Sequence, residues 1–243
     1  MCVVKRLILL LVTMLSLSGR AEVVHETLAQ KEERFFKAGE WGSSAAMLDR
    51  MISDTPDDAA LYGRAIAVAI ARGDTLGPRR LLDDALGRHL PFDSVFRAVE
   101  RSANLMERSD VYERFLTGVT VDVPWLKRPA IIRLVAYFRQ RRDPAKVVEY
   151  SLEMLDASPR SVPSLLSLAD GYMMLADFDS MVLTLKRLLE IDPHNVTALV
   201  TLGNYYLTEP SPDPALAGTY LRRANDIFPT PRLASLLARL ELR

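Results

Sequence analysis

Apolar residues recur along most of the chain at the three- and four-residue spacing of a helix face, and prolines interrupt that rhythm at near-constant intervals. The stretch from Val162 to Asn195 shows the unit. Leu165, Leu168, Ala169 and Tyr172 form one stripe, Ala176-Asp177-Phe178-Asp179 a turn, and Met181, Leu185, Leu188 and Leu189 a second stripe. This spacing predicts two amphipathic helices joined by a short turn. The skeleton recurs from Val196 to Thr230, with Leu199, Leu202, Gly203 and Tyr206 and then Ala217, Leu221 and Ala224. It also spans Arg128 to Ser161, with Ile131, Leu134, Val135 and Phe138 and then Val147, Ser151 and Met154. Pro159 and Pro193 are 34 residues apart, and Pro229 follows 36 later because the turn Glu209 to Pro214 is two residues longer. A proline at these places ends a helix: it lacks the N–H and disfavours the α conformation in the residue before it.

Toward the N-terminus the repeat weakens. Gly39, Trp41 and Pro56 mark a pair over residues 25–58, and Tyr62, Ala65, Ile66, Gly73, Ala85 and Leu86 a pair over 59–92. Residues 93–127 read as degenerate: a helix, a turn at Arg108-Ser109-Asp110, a short second helix and then a β-prone stretch from Thr117 to Pro124. Regular pairs follow over 128–161, 162–195 and 196–230. Residues 231–243 read as a final amphipathic helix carrying Leu233, Leu236, Leu237 and Leu240. A stacked array needs such a cap, since its last pair otherwise exposes an apolar face.

Leu202-Gly203, Tyr206, Ala217, Ala224 and Pro229 in the last pair resemble the tetratricopeptide repeat, as do Leu168-Ala169, Tyr172, Phe178 and Pro193 in the one before. The resemblance covers about 200 residues. It implies an all-α chain, a right-handed superhelical solenoid of tandem antiparallel helix pairs with a C-terminal capping helix. It also implies a scaffold that binds a protein or peptide, with no catalytic residue, no metal and no cofactor.

In that family the first helix of each pair lines a concave groove. The corresponding residues here are Ile132, Arg139 and Gln140; Leu166, Asp170, Met173 and Met174; and Val200, Asn204 and Leu207. In the second pair they are Ala60, Gly63, Ala67, Ile70 and Ala71. The family's best-known ligand mode clamps a C-terminal carboxylate with a lysine four residues before an asparagine. Val200 stands where that lysine would precede Asn204, and Asp170 would repel a carboxylate. The remaining groove is mixed apolar and Met-bearing, which suits an extended or helical apolar segment.

The first residues follow a different pattern. Lys5 and Arg6 precede an apolar run from Leu7 to Leu17, and the small residues Ser18, Gly19 and Ala21 follow. That is the layout of a secretory signal peptide over residues 1–21, and the run is shorter than the roughly 20 residues that span a bilayer. The expected location is therefore periplasmic or secreted, with an inner-membrane-tethered adaptor as the alternative. Cys2, the single cysteine, precedes the apolar run, so a cleaved chain uses no disulfide or thiolate chemistry.

Thirty-one basic and 31 acidic residues balance, against the basic excess a nucleic-acid binder usually carries. The chain has no phosphate-binding glycine loop, no His-Glu-x-x-His and no Cys-x-x-Cys. His25, His89 and His194 fall near pair boundaries. Asp57-Asp58 and Asp83-Asp84 are sequence neighbours, about 100° apart on a helix, and so read as caps or a solvated face. An enzyme with a dispersed acidic site would draw on Glu33, Asp170 and Glu209. Asn195-Val196-Thr197 matches a glycosylation acceptor.

Overall fold

The computed structural model describes residues 26–208 and 212–241, with thirteen α-helices and no strand among them. The signal-peptide segment, Cys2 and His25 lie outside the described residues. The chain divides into two compact units, with the division between Arg108 and Ser109.

Unit 1 holds α1 (Leu28–Ala38), α2 (Trp41–Asp54), α3 (Ala59–Arg72), α4 (Gly77–Gly87) and α5 (Phe92–Leu105). Thr27 starts α1 through a reciprocal capping box with Gln30. Asp58 starts α3 by accepting the Ala60 N–H at 2.7 Å. Helix α3 is the centre of this unit: α2, α4 and α5 all pack against it. Its residues Tyr62, Gly63 and Ala65 through Ile70 are buried. The contact with α5 is close because Gly63 has no side chain. A Cβ there would sit 2.3 Å from Ala98 Cβ and 2.8 Å from the α5 backbone.

Unit 2 holds α6 (Ser109–Asp122), a 3-10 turn (Pro124–Leu126), α7 (Lys127–Gln140), α8 (Pro144–Ala157), α9 (Val162–Met174), α10 (Phe178–Ile191), α11 (Val196–Tyr205), α12 (Pro214–Ile227) and α13 (Pro231–Glu241). Each packs on the next in chain order. The caps repeat with the pairs. Second helices α8, α10 and α12 each start on an aspartate, Asp143, Asp177 and Asp213, which accepts the backbone N–H three residues on. First helices α9 and α11 start on Ser161 and Asn195 in the same way. Orphan N–H groups at each helix start are thereby satisfied.

The β-prone reading of Thr117 to Pro124 is wrong. Helix α6 continues through Asp122, because Val111, Tyr112, Phe115, Leu116 and Val119 are buried at helical spacing. Burial outweighs β-branched propensity, which spans only about 1 kcal/mol. Within the stripe predicted for α8, Leu155 is buried where Met154 was expected to be, and Met154 is half-buried.

Backbone conformation shows the repeat most regularly. A left-handed residue follows the first helix of each of five successive pairs: Gly39, Gly73, Glu107, Arg142 and Ala176, at intervals of 34, 34, 35 and 34 residues. The left-handed turn satisfies the final carbonyls of a helix and reverses the chain. Glycine fills it only twice, so three side chains bear the steric penalty of positive φ.

Two apolar clusters form the later core. One joins Leu155, Leu165, Leu168, Ala169, Met181, Leu185, Leu188, Ala198 and Leu202. The other joins Leu199, Leu221 and Ala224 to Leu233 of α13, with Leu236, Leu237 and Leu240 packed at its edge. Helix α13 therefore covers the last pair, as a cap requires.

Candidate functional site

Helices α7, α9 and α11 carry the expected groove residues. On α7 the buried stripe Ile131, Leu134, Val135 and Phe138 faces the core. That orientation leaves Ile132, Arg139 and Gln140 exposed. On α9 the buried Leu165, Leu168 and Ala169 leave Leu166, Asp170 and Met174 half-buried and Met173 exposed. Residues four and seven apart share a helix face, so Leu166, Asp170 and Met173 form one row and Ile132 and Arg139 another. Arg139 Nε stands 2.8 Å from Asp170 Oδ2 and ties the two rows together. The approach is off the N–H axis, so Asp170 Oδ2, shielded from solvent, receives a charge partner but no directed hydrogen bond.

The last row differs. Val200, Asn204 and Leu207 are all half-buried, and Val200 and Leu207 pack against the cluster that contains Leu233 of the cap. The cap thus takes part of the surface that a further pair would leave open. Among the three groove helices, the exposed large apolar side chains at the expected positions are on α7 and α9, where Ile132 is 50% and Met173 44% exposed.

The second pair offers no groove. Gly63, Ala67 and Ile70 are buried, Ala71 is half-buried and only Ala60 remains exposed. The small residue Gly63, named above at a groove position, instead admits α5 at close range.

The two candidate carboxylates among the described residues are paired locally. Glu33 accepts from Arg64 at 2.6 Å and pairs with Lys37 at 3.1 Å. Arg64 first, and then Lys37, hold its carboxyl below the usual range. General acid work needs a shift the other way. Beside it Glu32, 3% exposed, accepts from Ser44 Oγ at 2.7 Å and Arg64 Nε at 3.0 Å. The Arg64 guanidinium also stacks over Phe36, 3.8 Å from the ring centre. Asp170 has the Arg139 pairing already described, and Glu209 lies outside the described residues.

Asp58 is a cap; Asp83 and Asp84 pair with Arg79 and Arg88, and Asp84 accepts the Tyr62 hydroxyl at 2.7 Å. His89 and His194 are exposed. Among the described residues no group of three or more His, Cys, Asp or Glu is placed to hold a metal ion. Among them, too, no helix is long and apolar enough to cross a membrane. The Asn195 side chain is engaged at both ends, accepting from the Ala198 N–H and donating to Asp192.

Two groupings link residues too distant in sequence for periodicity to pair. One is the Glu32–Arg64 network, whose members are 32 residues apart. The other is an aromatic run in unit 2. Phe178 meets Tyr205 at 5.6 Å, Tyr205 meets Tyr206 at 5.1 Å, and Tyr206 stacks on Tyr220 at 6.0 Å. Repeat register brings such side chains together from neighbouring helices.

No protein-family model matches the chain, and no curated relative matches it. Solved structures do resemble it. YrrB, a TPR protein with an unusual peptide-binding site, is 14% identical over 79% of this chain and 97% of its own, with a TM-score of 0.48. PilF of Pseudomonas aeruginosa is 14% identical over 88% of this chain and 95% of its own, at 0.46. The TPR2AB domain of yeast Sti1, in its pHSP90 complex, is 15% identical over 87% of this chain and 96% of its own, at 0.41. The fold itself stands on this chain's own helix pairs, caps and 34-residue turn spacing.

Proposed function

We propose that this array of tetratricopeptide-type helix pairs is a protein-binding scaffold, and that its docking face is the surface of α7 and α9 with α11 at its edge. The observation that carries this reading is the contrast within those helices. Their core stripes are closed, yet Ile132 and Met173 stay exposed on the facing rows, bridged by Arg139 and Asp170. Exposed apolar side chains on rigid helices suit an apolar partner segment. Met173 and Met174 supply adaptable contacts, and the ion pair sets a polar register. The pairing of Asp170 with Arg139 favours binding over catalysis as the role of this surface.

In the same reading the protein is exported, periplasmic or secreted, and serves envelope assembly or secretion. The basic, apolar and small-residue layout of Lys5 to Ala21 supports that part. Mass spectrometry of the N-terminus tests it, and an intact Met1 in the membrane fraction argues for the tethered alternative. The docking face is tested by replacing Met173 and Met174 together with Asp. Recovery of the native partner should fall at least about tenfold, equal to 1.4 kcal/mol or more, with helicity unchanged. Undiminished recovery moves the site off α7 and α9.

A further inference from the structure

We infer that the outward face of α10 is a self-association surface, on which α10 of a second copy packs antiparallel about a two-fold axis passing between Val182 and Leu183. This goes beyond the groove reading and uses different residues. Asp179 and Lys186 are seven residues apart, two helical turns, so they lie on the same side of α10 about 10.5 Å apart along its axis. Val182 and Leu183 lie between them, and Leu183 is 71% exposed. With Tyr205 and Tyr206 these four residues surround a hollow of about 310 Å³.

The pattern is its own complement. A two-fold axis at the midpoint sets Asp179 of each copy opposite Lys186 of the other, and the Leu183 of each beside the hollow of the other. A two-fold interface requires this kind of self-matching patch. The charges are also available. Lys127 pairs with Glu153, Arg139 with Asp170 and Lys146 with Glu149, while other unit 2 charges, Glu190 of α10 among them, enter no ion pair among the described residues. Among the described residues Asp179 and Lys186 enter no ion pair, and neighbouring Arg187 is held by the Pro159 carbonyl at 2.8 Å. A charge at each end of an exposed leucine fixes both the register and the antiparallel sense. A pairing through α10, a second helix, uses none of the groove residues of α7 and α9, so a dimer presents two docking faces and gains avidity for a repeated partner.

Sedimentation equilibrium of the protein isolated from its own cells, from about 1 to 500 μM, tests this. The expected result is a reversible monomer–dimer equilibrium that weakens with added salt. Asp179→Lys and Lys186→Asp should each weaken the dimer about tenfold, since each turns two attractions into two repulsions. The combined exchange should restore it to within about threefold, and Leu183→Asp should leave monomer only. Circular dichroism of each variant checks the fold, and Lys186→Asp lies clear of the α10 N-terminus, where Asp179 also favours the helix dipole. A wild-type chain that stays monomeric over the whole range overturns the inference. So does a dimer indifferent to either single reversal, or one that the double exchange fails to recover.

Discussion

The two units build helix pairs on similar rules and treat the groove side of the first helix in opposite ways. In unit 1, α3 presents Gly63, Ala67 and Ile70 and is covered there by α5. In unit 2, α7 and α9 present Ile132, Leu166 and Met173 and leave that side open. The charges follow the same division. Arg64 and Glu32 form a shielded network, with side chains 18% and 4% exposed, whereas Arg139 reaches Asp170 from a side chain 64% exposed. Small residues at the groove positions thus close a face, and larger flexible ones keep it available.

The glycines test that division most severely. Gly63→Leu should cost about 3 kcal/mol or more, because the added atoms meet α5 backbone and one helix must move. Gly171→Ala in α9 should cost less, about 1 to 2 kcal/mol. An added Cβ meets the Val148 and Val147 γ-carbons at 2.8 and 3.1 Å and the Val148 backbone nitrogen at 3.3 Å, a one-methyl clash with stiff side chains that the helix preference of alanine offsets only in part. Urea denaturation followed by circular dichroism measures both, and a Gly63→Leu cost no larger than that of Gly171→Ala would remove the close α3–α5 contact from the account.

The ion pairs come next. Arg64→Ala strands the buried Glu32 carboxylate and should cost about 2 kcal/mol, less than the full penalty for a buried pair because Arg64 retains some exposure. Arg139→Ala should cost under about 1 kcal/mol, as for other exposed pairs. The same denaturation experiment reads the difference.

Unit 1 also carries an alkaline signature. Burial first, and then the bond to Asp84, push the Tyr62 hydroxyl up to about 12 from its ordinary 10. Because the folded value is the higher, its contribution is intact below pH 10 and is lost as pH rises toward 12. Ultraviolet titration should lose a late-ionising tyrosine in Tyr62→Phe, and stability above pH 10 should fall more steeply in the wild type than in that variant.

The smallest effect concerns the left-handed turns. Gly39 and Gly73 already suit positive φ, whereas Arg142 and Ala176 do not. Arg142→Gly and Ala176→Gly should each stabilise by about 0.5 kcal/mol, whereas Gly39→Ala and Gly73→Ala should destabilise by about 1 kcal/mol. Thermal melts that show no difference in sign would remove the turn argument.

Much of the fold was legible because helix periodicity is local. The stripes around Leu168, Leu185, Leu202 and Leu221 appear in the spacing of single segments and are buried as expected. Coverage was not legible, since it depends on what a neighbouring helix brings. Gly63 reads alike as an open groove floor or a contact point, and only Ala98 of α5 decides between them. The Thr117 to Asp122 stretch misled for a related reason: β-branched residues suggested extension, while burial of Phe115 and Val119 holds a helix. Glu107, Arg142 and Ala176 concealed the turn spacing because glycine is the usual sign of a left-handed residue.

Met173 of α9 and Leu152 of α8 are equally exposed, at 44% and 43%, so solvent access alone does not separate them. A photo-crosslinking amino acid placed at each position in living cells therefore asks directly whether the open face of unit 2 is the docking face. A discrete adduct with one other polypeptide from position 173, lost when Met174 is changed to Asp, and none from position 152, is the predicted result. An adduct from position 152 with none from position 173 would contradict the account.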